Sequence, residues 1–241
     1  MIERRRILLM RHGAVEYFDA DGRPHPNPDD VALTAAGVAQ ARAVGRALAA
    51  DRIRIDRAVT SGMTRTLQTA EAVLAAADMA PPLRHWPQLQ EIRGGRLSTI
   101  ADAALKASFV GAFEGPVAPD VRFLNGESIG ELLDRVVPAL QALLAERDWD
   151  TVLVVAHGGV NRALLSWFLT GERVFLGGLA QDPGCLNVID VGPTAVTSVV
   201  RVVNFCPIDT LQTQTRLSTM EQLLLQYLRQ RRPDAAGPPT A

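Results

Sequence analysis

Two short apolar segments of this chain each end in a histidine that is followed by glycine. Residues 7–10 (Ile-Leu-Leu-Met) precede Arg11-His12-Gly13, and residues 151–156 precede His157-Gly158-Gly159. Four to six consecutive apolar residues predict a strand that is buried on both faces. Open α/β sheets bind ligands beyond the carboxyl ends of their strands, so both histidines are expected at a ligand site.

Length and composition suit one large α/β domain, or at most two small ones. The chain has 241 residues, of which 47% are hydrophobic, and its formal net charge is −1. We therefore expect a single domain over residues 1–232, with an insertion or lid at about 97–125 and a disordered tail at 233–241. The near-zero net charge gives no global basic field, so nucleic acid is not an expected partner.

The sequence also bears on compartment and on membrane association. No apolar run reaches the length that spans a membrane, and residues 7–10 are too few for the core of a signal peptide. A cytoplasmic protein without a membrane partner is expected. Cys185 and Cys206 are too few for a disulfide framework and lack metal-ligand spacing, so both are interpreted as buried small hydrophobic residues in a reducing compartment.

Strands and helices are predicted to alternate along most of the chain. Residues 16–30 form a proline-rich loop, Thr34 caps the first helix, and Ser128 with Glu131 forms a capping box. The other predicted strands cover residues 56–60, 83–86, 185–191 and 196–204. The predicted helices cover residues 34–51, a segment opened by residues 61–66, and residues 99–109, 128–143, 160–169 and 218–231.

The polar residues around these strand ends are suited to phosphate chemistry. Arg11 and Arg65 carry permanent charge in a planar fork that matches phosphoryl oxygens, and Arg65 lies in the first turn of a predicted helix. A histidine among fixed positive charges is biased toward its neutral, nucleophilic form. Glu91 is a candidate proton donor to a leaving alkoxide. No Asp, Glu and His cluster has metal-ligand spacing.

Each of these residues also has a plainer interpretation. Arg65 fits an ordinary surface arginine, and Glu91 taken alone fits a solvated glutamate. His25 is interpreted as a surface loop residue and His85 as a half-exposed structural histidine. A single Arg-His-Gly tripeptide is common, so the spacing of these residues does not by itself identify a function.

Several motifs in order make the pattern much more specific, and together they resemble the histidine phosphatase superfamily, also called phosphoglycerate-mutase-like. The resemblance runs from about residue 5 to residue 205. The motifs are Leu9-Met10-Arg11-His12-Gly13, Leu33-Thr34-x-x-Gly37-x-x-Gln40-Ala41, Ser61-x-x-x-Arg65-Thr66-x-Gln68-Thr69-Ala70, Glu91, Gly126-Glu127-Ser128 and Ala156-His157-Gly158-Gly159.

The resemblance implies a three-layer α/β/α fold with a mostly parallel central sheet, over one phosphoglycerate-mutase-like catalytic domain. It implies that His12 accepts the phosphoryl group and that Glu91 protonates the leaving group and later activates water. It also implies that no metal or other cofactor is needed. The phosphoryl oxygens would be held by Arg11, Arg65 and His157, with the amide of Gly158 beside them.

The chain departs from the family pattern in two places. Many members carry Glu-Thr or Glu-Ser and then Trp-Asn after Arg-His-Gly, whereas residues 14–18 here are Ala-Val-Glu-Tyr-Phe. The common Glu-x-x-x-Gly-x-x-Glu-Gly pattern is eroded at residues 91–96. A mutase must retain its bisphosphorylated intermediate and exclude water, so these changes argue against mutase activity.

Three functions are compatible with these motifs. The preferred one is a phosphoric monoester hydrolase of the histidine acid type, acting on a small phosphorylated substrate. The alternatives are a phosphoglycerate-type mutase and a catalytically inactive binding or scaffold protein. A monomer or a homodimer is expected, with the helix at 218–231 packed on its own domain. Residues suggested to reach the substrate are Arg23, His25, Arg93, Arg96 and Arg122, and Asn161 either lines the pocket or lies on the helix surface.

Overall fold

A six-stranded sheet forms the centre of the computed structural model, which describes residues 4–18, 25–213 and 215–231. The strand order is β3-β2-β5-β1-β7-β8, and a separate pair is formed by β4 and β6. The strands are β1 (Arg5–Arg11), β2 (Arg57–Thr60), β3 (Leu83–His85), β4 (Pro116–Val117), β5 (Thr151–Ala156), β6 (Phe175–Leu176), β7 (Leu186–Val191) and β8 (Val199–Phe205).

The expected mostly parallel sheet is confirmed. Strands β3, β2, β5 and β1 are parallel neighbours, whereas β7 and β8 extend the sheet in antiparallel pairing. Parallel strands end at the same edge, so the residues that follow β1, β2 and β5 are brought together.

Six helices surround the sheet within the described part of the chain. The hydroxyl of Thr34 caps the first helix by accepting a hydrogen bond from the backbone N–H of Gly37 at 3.0 Å. Ser128 forms the predicted capping box with Glu131. No helix of the described residues is long and apolar enough to cross a membrane. The helices are α1 (Ala35–Ala50), α2 (Thr64–Ala76), α3 (Leu105–Val110), α4 (Ile129–Ala145), α5 (Gly158–Thr170) and α6 (Thr219–Arg231).

Alternate residues of the central strands supply two separate cores. Ile7 and Leu9 of β1 pack with the apolar faces of α4 and α5, whereas Leu8 and Met10 pack with those of α1 and α2. All four side chains are at most 2% exposed. Because successive side chains of a strand point to opposite faces, a strand covered by helices on both sides must be apolar throughout. This explains the unbroken apolar runs and confirms the three-layer α/β/α architecture.

The segment at 97–125 contains less helix than predicted. Instead of one helix over residues 99–109, the structure has short 3₁₀ turns followed by α3. The predicted helix is interrupted at Ile100, where the backbone is extended. The side chain of Ile100 is buried, with 6% of its surface exposed. Helix α3 packs against α6, where the rings of Phe109 and Tyr227 are 5.7 Å apart. The predicted tail at 233–241 lies outside the described residues.

The two cysteines are both free thiols, but they differ in burial. Cys185 is fully buried, as expected, and burial raises the pKa of its thiol to about 12. Cys206 is only half-buried, because it follows β8 at the edge of the sheet, and burial raises its pKa to about 11. The expectation that both are core residues is therefore wrong for Cys206.

Candidate active site

The two histidines that end apolar strands lie side by side. Strands β1 and β5 pair with Arg11 opposite Ala156, so His12 and His157 leave the sheet at the same level. Their ring centroids are 5.2 Å apart in an edge-to-face arrangement. His12 is 2% exposed and His157 is 0% exposed.

Hydrogen bonding defines the protonation of His12. Its Nδ1 lies 2.8 Å from the carbonyl oxygen of Gly13. A carbonyl can only accept, so Nδ1 carries the proton and the neutral ring presents a bare Nε2. Burial, together with the charges of Arg11 and Arg65, holds the pKa of His12 well below its ordinary value. The ring is thus a neutral imidazole with a free nucleophilic nitrogen at neutral pH.

His157 is oriented by a serine that the motif analysis did not single out for function. Its Nε2 lies 2.8 Å from the hydroxyl of Ser61, while Nδ1 is buried without a hydrogen-bond partner in the described part of the chain. Burial and the nearby His12, Arg65 and Arg11 hold the pKa of His157 well below its ordinary value. The signal that points to Ser61 is its position directly after β2, a parallel neighbour of β5.

The two lowered pKa values predict an acid-sensitive fold. A histidine titrates near pH 6.5 in the unfolded chain, so below that pH the unfolded state binds more protons than the folded state. The free energy of unfolding should therefore fall as pH drops below about 6.5, by up to about 2.7 kcal/mol per pH unit for His12 and His157 together. Urea unfolding between pH 8 and pH 5 measures this slope.

Substitution of both buried histidines by glutamine should flatten that pH dependence. Substitution of His25 and His85, which are exposed, provides the matched control and should leave the slope unchanged. Equal slopes in the buried-pair variant and the wild type would contradict the assignment of neutral, buried imidazoles.

The guanidinium of Arg11 is anchored by two oxygen acceptors from distant parts of the chain. Its Nη1 donates to the carbonyl of Gln181 at 2.5 Å and to the hydroxyl of Thr219 at 2.9 Å. Its Nε is buried and lacks a hydrogen-bond partner among the described residues. A buried N–H donor without a hydrogen-bond partner costs free energy, and an anionic ligand would provide an acceptor for it.

Arg65 lies in the first turn of α2, as predicted. It is only 3% exposed, so the plainer interpretation as a surface arginine is wrong. Its Nη2 lies 3.1 Å from the sulfur of Met63, and its guanidinium lies 5.9 Å from the ring centre of Tyr17. Its charge contributes to the lowered pKa of both site histidines.

Glu91 is held at the amino end of α5. Its Oε1 accepts from the backbone N–H groups of Ile92 at 2.9 Å and Gly159 at 3.1 Å, and Oε2 lies 3.2 Å from the same Gly159 N–H. The carboxylate is half-buried and directly bonded to the His-Gly-Gly segment. The interpretation of Glu91 as a merely solvated glutamate is therefore wrong.

An arginine on α4 fixes the loop that carries Glu91. Arg135 donates to the carbonyls of Gln88 and Gln90, each at 2.7 Å, and to the carbonyl of Glu91 at 3.0 Å. Its Nε also donates to Glu127 at 2.7 Å. Burial opposes ionisation of Glu127, but the bonds from Arg135 and from the backbone of Arg93 hold its pKa below the ordinary value. Glu127 belongs to one of the sequence motifs but has no role predicted from it, and no motif contains Arg135.

Both glycines after His157 make close contacts. A Cβ on Gly158 would lie 3.1 Å from Nη1 of Arg162 and 3.6 Å from Nε of Arg11. The carbonyl of Gly158 accepts from Arg162 at 3.0 Å, while the predicted role of its amide stays a prediction. A Cβ on Gly159 would lie 2.7 Å from Oε1 of Glu91.

The Gly159→Ala variant should displace Glu91 from α5. Real Cβ atoms do not approach an oxygen so closely, so the carboxylate must move and lose its bond to the residue 159 N–H. If Glu91 is the proton donor that the motifs imply, kcat/KM for phosphate esters should fall by roughly 10²-fold, the scale of general acid catalysis. Steady-state kinetics measures this loss.

Gly178→Ala is the matched control for that variant. A Cβ on Gly178 would meet no atom closer than 3.5 Å, so its kcat/KM should stay near the wild-type value. Full activity in Gly159→Ala would show that the position of Glu91 is unimportant.

Asn161 joins the ends of the two central strands. It is fully buried, which excludes the helix-surface alternative. With its amide oriented to match its neighbours, its oxygen accepts from the backbone N–H of Arg11 at 3.2 Å and its nitrogen donates to the carbonyl of His157 at 3.3 Å. It therefore supports the site through the backbone.

Among the described residues, no hydrogen bond, ion pair or ring contact joins the other suggested loop residues to the two histidines. His25 is exposed and bonds Asn27, and His85 is exposed rather than half-exposed, with its Nδ1 3.0 Å from the hydroxyl of Thr60. Arg122 pairs with Glu131. The other suggested substrate contacts are Arg93 and Arg96, which are exposed, and Arg23, which lies outside the described residues. Over the described ranges, no group of three or more His, Cys, Asp or Glu is placed to hold a metal ion.

Comparisons with known proteins identify relatives of this chain. A probable phosphoglycerate mutase of Proteus mirabilis is 33% identical over 168 residues, which cover 68% of this chain and 74% of that protein. A chicken 6-phosphofructo-2-kinase/fructose-2,6-bisphosphatase is 30% identical over 167 residues, which cover 68% of this chain but only 33% of that longer protein.

The fold is shared with solved structures of lower identity. A mycobacterial glucosyl-3-phosphoglycerate phosphatase superposes with a TM-score of 0.64 at 21% identity, over 83% of this chain and 98% of that one. The model of one protein family matches residues 7–204, a range that contains His12, Arg65, Glu91 and His157. The chain belongs to the histidine phosphatase superfamily, branch 1.

Proposed function

We propose that this protein is a phosphatase that hydrolyses a small phosphomonoester through a phosphohistidine on His12. The observation that carries the proposal is the neutral, buried ring of His12, whose Nδ1–H is committed to Gly13 while Nε2 is bare. Two arginines beside it, Arg11 and Arg65, supply permanent positive charge for a phosphoryl dianion.

In the first step, Nε2 of His12 attacks phosphorus. The Nε2–P bond forms as the bond from phosphorus to the ester oxygen breaks, and Glu91 in its acid form donates a proton to the departing oxygen. The bond from Nδ1–H to Gly13 keeps the ring in the attacking orientation. The two arginines and His157 bind the equatorial oxygens as their charge redistributes.

In the second step, water replaces the alcohol. The Glu91 carboxylate, now ionised, takes a proton from water as the water oxygen bonds to phosphorus and the Nε2–P bond breaks. The products are inorganic phosphate, neutral His12 and protonated Glu91, so the site is restored. Backbone N–H groups of Ile92 and Gly159 hold the Glu91 carboxyl at the amino end of the helix that follows His157, so its position is fixed for both proton transfers.

The names of the relatives support phosphoryl chemistry on a small molecule and leave one rival. The Proteus mirabilis relative is named as a mutase, so a phosphoglycerate-type mutase is the second candidate. Against it stand the altered residues 14–18 and 91–96, which differ from the family pattern near the nucleophile and the acid. The third interpretation, an inactive scaffold, is disfavoured by the intact set of His12, Arg65, Glu91 and His157.

The test is phosphate release from a panel of phosphomonoesters in the presence of EDTA, with wild type and His12→Ala measured together. The proposal predicts metal-independent release that disappears in the variant and needs no bisphosphorylated primer. Transfer of phosphate between two hydroxyls of one substrate, dependent on such a primer, would establish the mutase instead. No turnover in either assay would favour the scaffold interpretation.

A further inference from the structure

Three residues behind His157 form a chain of hydrogen bonds with only one possible direction. The hydroxyl of Thr66 lies 2.8 Å from the carbonyl of Met63, and a carbonyl cannot donate, so Thr66 has given its one proton. The hydroxyl of Ser61, 3.0 Å from Thr66, must then donate to it. The hydroxyl of Ser61 has then used its only proton, so it can only accept hydrogen bonds from its other neighbours.

The other two contacts of Ser61 agree with this direction. The backbone N–H of Met63 donates to the Ser61 hydroxyl at 3.4 Å. The second lone pair faces Nε2 of His157 at 2.8 Å, so this nitrogen must carry a proton. Neutral His157 therefore has a bare Nδ1, which is the nitrogen that is buried without a partner in the described structure.

We propose that Ser61 and Thr66 are positioning residues that hold His157 as its Nε2–H tautomer, so that a phosphoryl group binds together with one proton at Nδ1. The inference rests on the proposed function, in which His157 contacts the phosphoryl oxygens. A bare nitrogen and a phosphoryl oxygen both present lone pairs and repel each other. A proton shared between them converts this repulsion into a charge-assisted hydrogen bond.

The positive charges around His157 disfavour a proton on Nδ1, and a bound anion favours it. Among the described residues, the groups that lower the pKa of His157 are Arg11 and His12 at the end of β1, Arg65 on α2 and Arg135 on α4, and each opposes a second proton on the ring. The carboxylate of Glu91, a negative charge, is bonded to the Gly159 N–H in the segment that follows His157. A bound dianion reverses this field. A phosphomonoester monoanion brings its own proton and passes it to Nδ1, whereas a proton-free dianion must take one proton from solvent.

Two inorganic anions separate these cases. Sulfate carries no proton between pH 7 and pH 9, whereas hydrogen phosphate retains one that can be donated to Nδ1. Titration calorimetry on the intact protein, in buffers of different ionisation enthalpy, counts the protons exchanged on binding. Sulfate should bind with uptake of about one proton, so its affinity should fall about tenfold for each unit by which pH rises. Hydrogen phosphate should bind between pH 8 and pH 9 with almost no uptake.

Thr66→Val tests the direction of the chain. Without the Thr66 oxygen, the Ser61 proton has His157 as its acceptor, so the ring should move its own proton to Nδ1. Sulfate binding should then lose its proton uptake and its pH dependence. Thr66→Ser keeps the hydroxyl and should retain the wild-type slope, which a merely structural effect of position 66 would not predict.

A measurement on the wild type covers the case in which the valine variant does not fold. Nitrogen-15 spectra of the neutral imidazoles, assigned by His157→Gln, identify which nitrogen carries the proton. The inference requires Nε2–H in His157, and Nδ1–H would overturn it. If the protein is an active phosphatase but binds sulfate independently of pH, the inference about Ser61, Thr66 and His157 is refuted and the proposed function is not. If both activity and anion binding are absent, the proposed function is refuted as well.

Discussion

His12→Ala is expected to reduce kcat/KM for phosphomonoester hydrolysis by at least about 10³-fold, because the variant lacks the atom that accepts the phosphoryl group. Arg11, Arg65 and His157 would still bind the anion, so KM should change far less than kcat. Steady-state phosphate release, with protein folding checked by circular dichroism, measures both parameters.

His25→Ala is the matched control for that variant. His25 is exposed and bonds only to residue 27 of its own loop among the described contacts of its side chain, so its removal should leave kcat close to the wild-type value. A His12→Ala protein that hydrolyses esters at nearly the wild-type rate would show that phosphoryl transfer does not pass through this ring.

Glu91→Gln is expected to reduce kcat by about 10²- to 10⁴-fold for alkyl phosphates, the range for loss of a general acid. Glutamine has nearly the same shape, and its amide oxygen can keep the bond from the Gly159 N–H. It cannot transfer a proton. The loss should be smaller with an aryl phosphate whose phenol leaves readily, because such a leaving group needs less protonation.

The dependence on the leaving group separates a chemical role from a structural one. A displaced loop would lower the rates of alkyl and aryl esters by the same factor, and that result would contradict the assignment of Glu91 as the acid. Glu172→Gln, at an exposed position, should leave both rates unchanged and serves as the control.

The sequence predicted the framework of the site because its strongest patterns are local. The apolar runs that became β1 and β5 could be identified without knowledge of the fold, and parallel strands end at one edge of a sheet. His12 and His157 were therefore expected to meet, and their rings lie 5.2 Å apart. The caps at Thr34 and Ser128 were predictable for the same reason, since each depends on residues within one helical turn.

The supporting residues could not be predicted because their partners are distant in sequence. Ser61 and His157 are 96 positions apart, and the position of Ser61 after a strand does not show which distant side chain it contacts. In the sequence, Arg135 looks like a solvent-exposed residue of a helix. Its role depends on the packing of the loop at 88–91 against α4, which the sequence does not show. The predicted helix at 99–109 was wrong because burial of Ile100 outweighed the local preference for helix.

The most direct test of the central claim is to trap the covalent intermediate. Wild-type protein mixed with a rapidly hydrolysed phosphomonoester and quenched in alkali should yield a peptide with one added phosphoryl group on Nε2 of His12. This adduct should be labile to acid and absent from His12→Ala. A phosphoryl group on another residue, or turnover with inversion at phosphorus and no covalent species, would contradict the account.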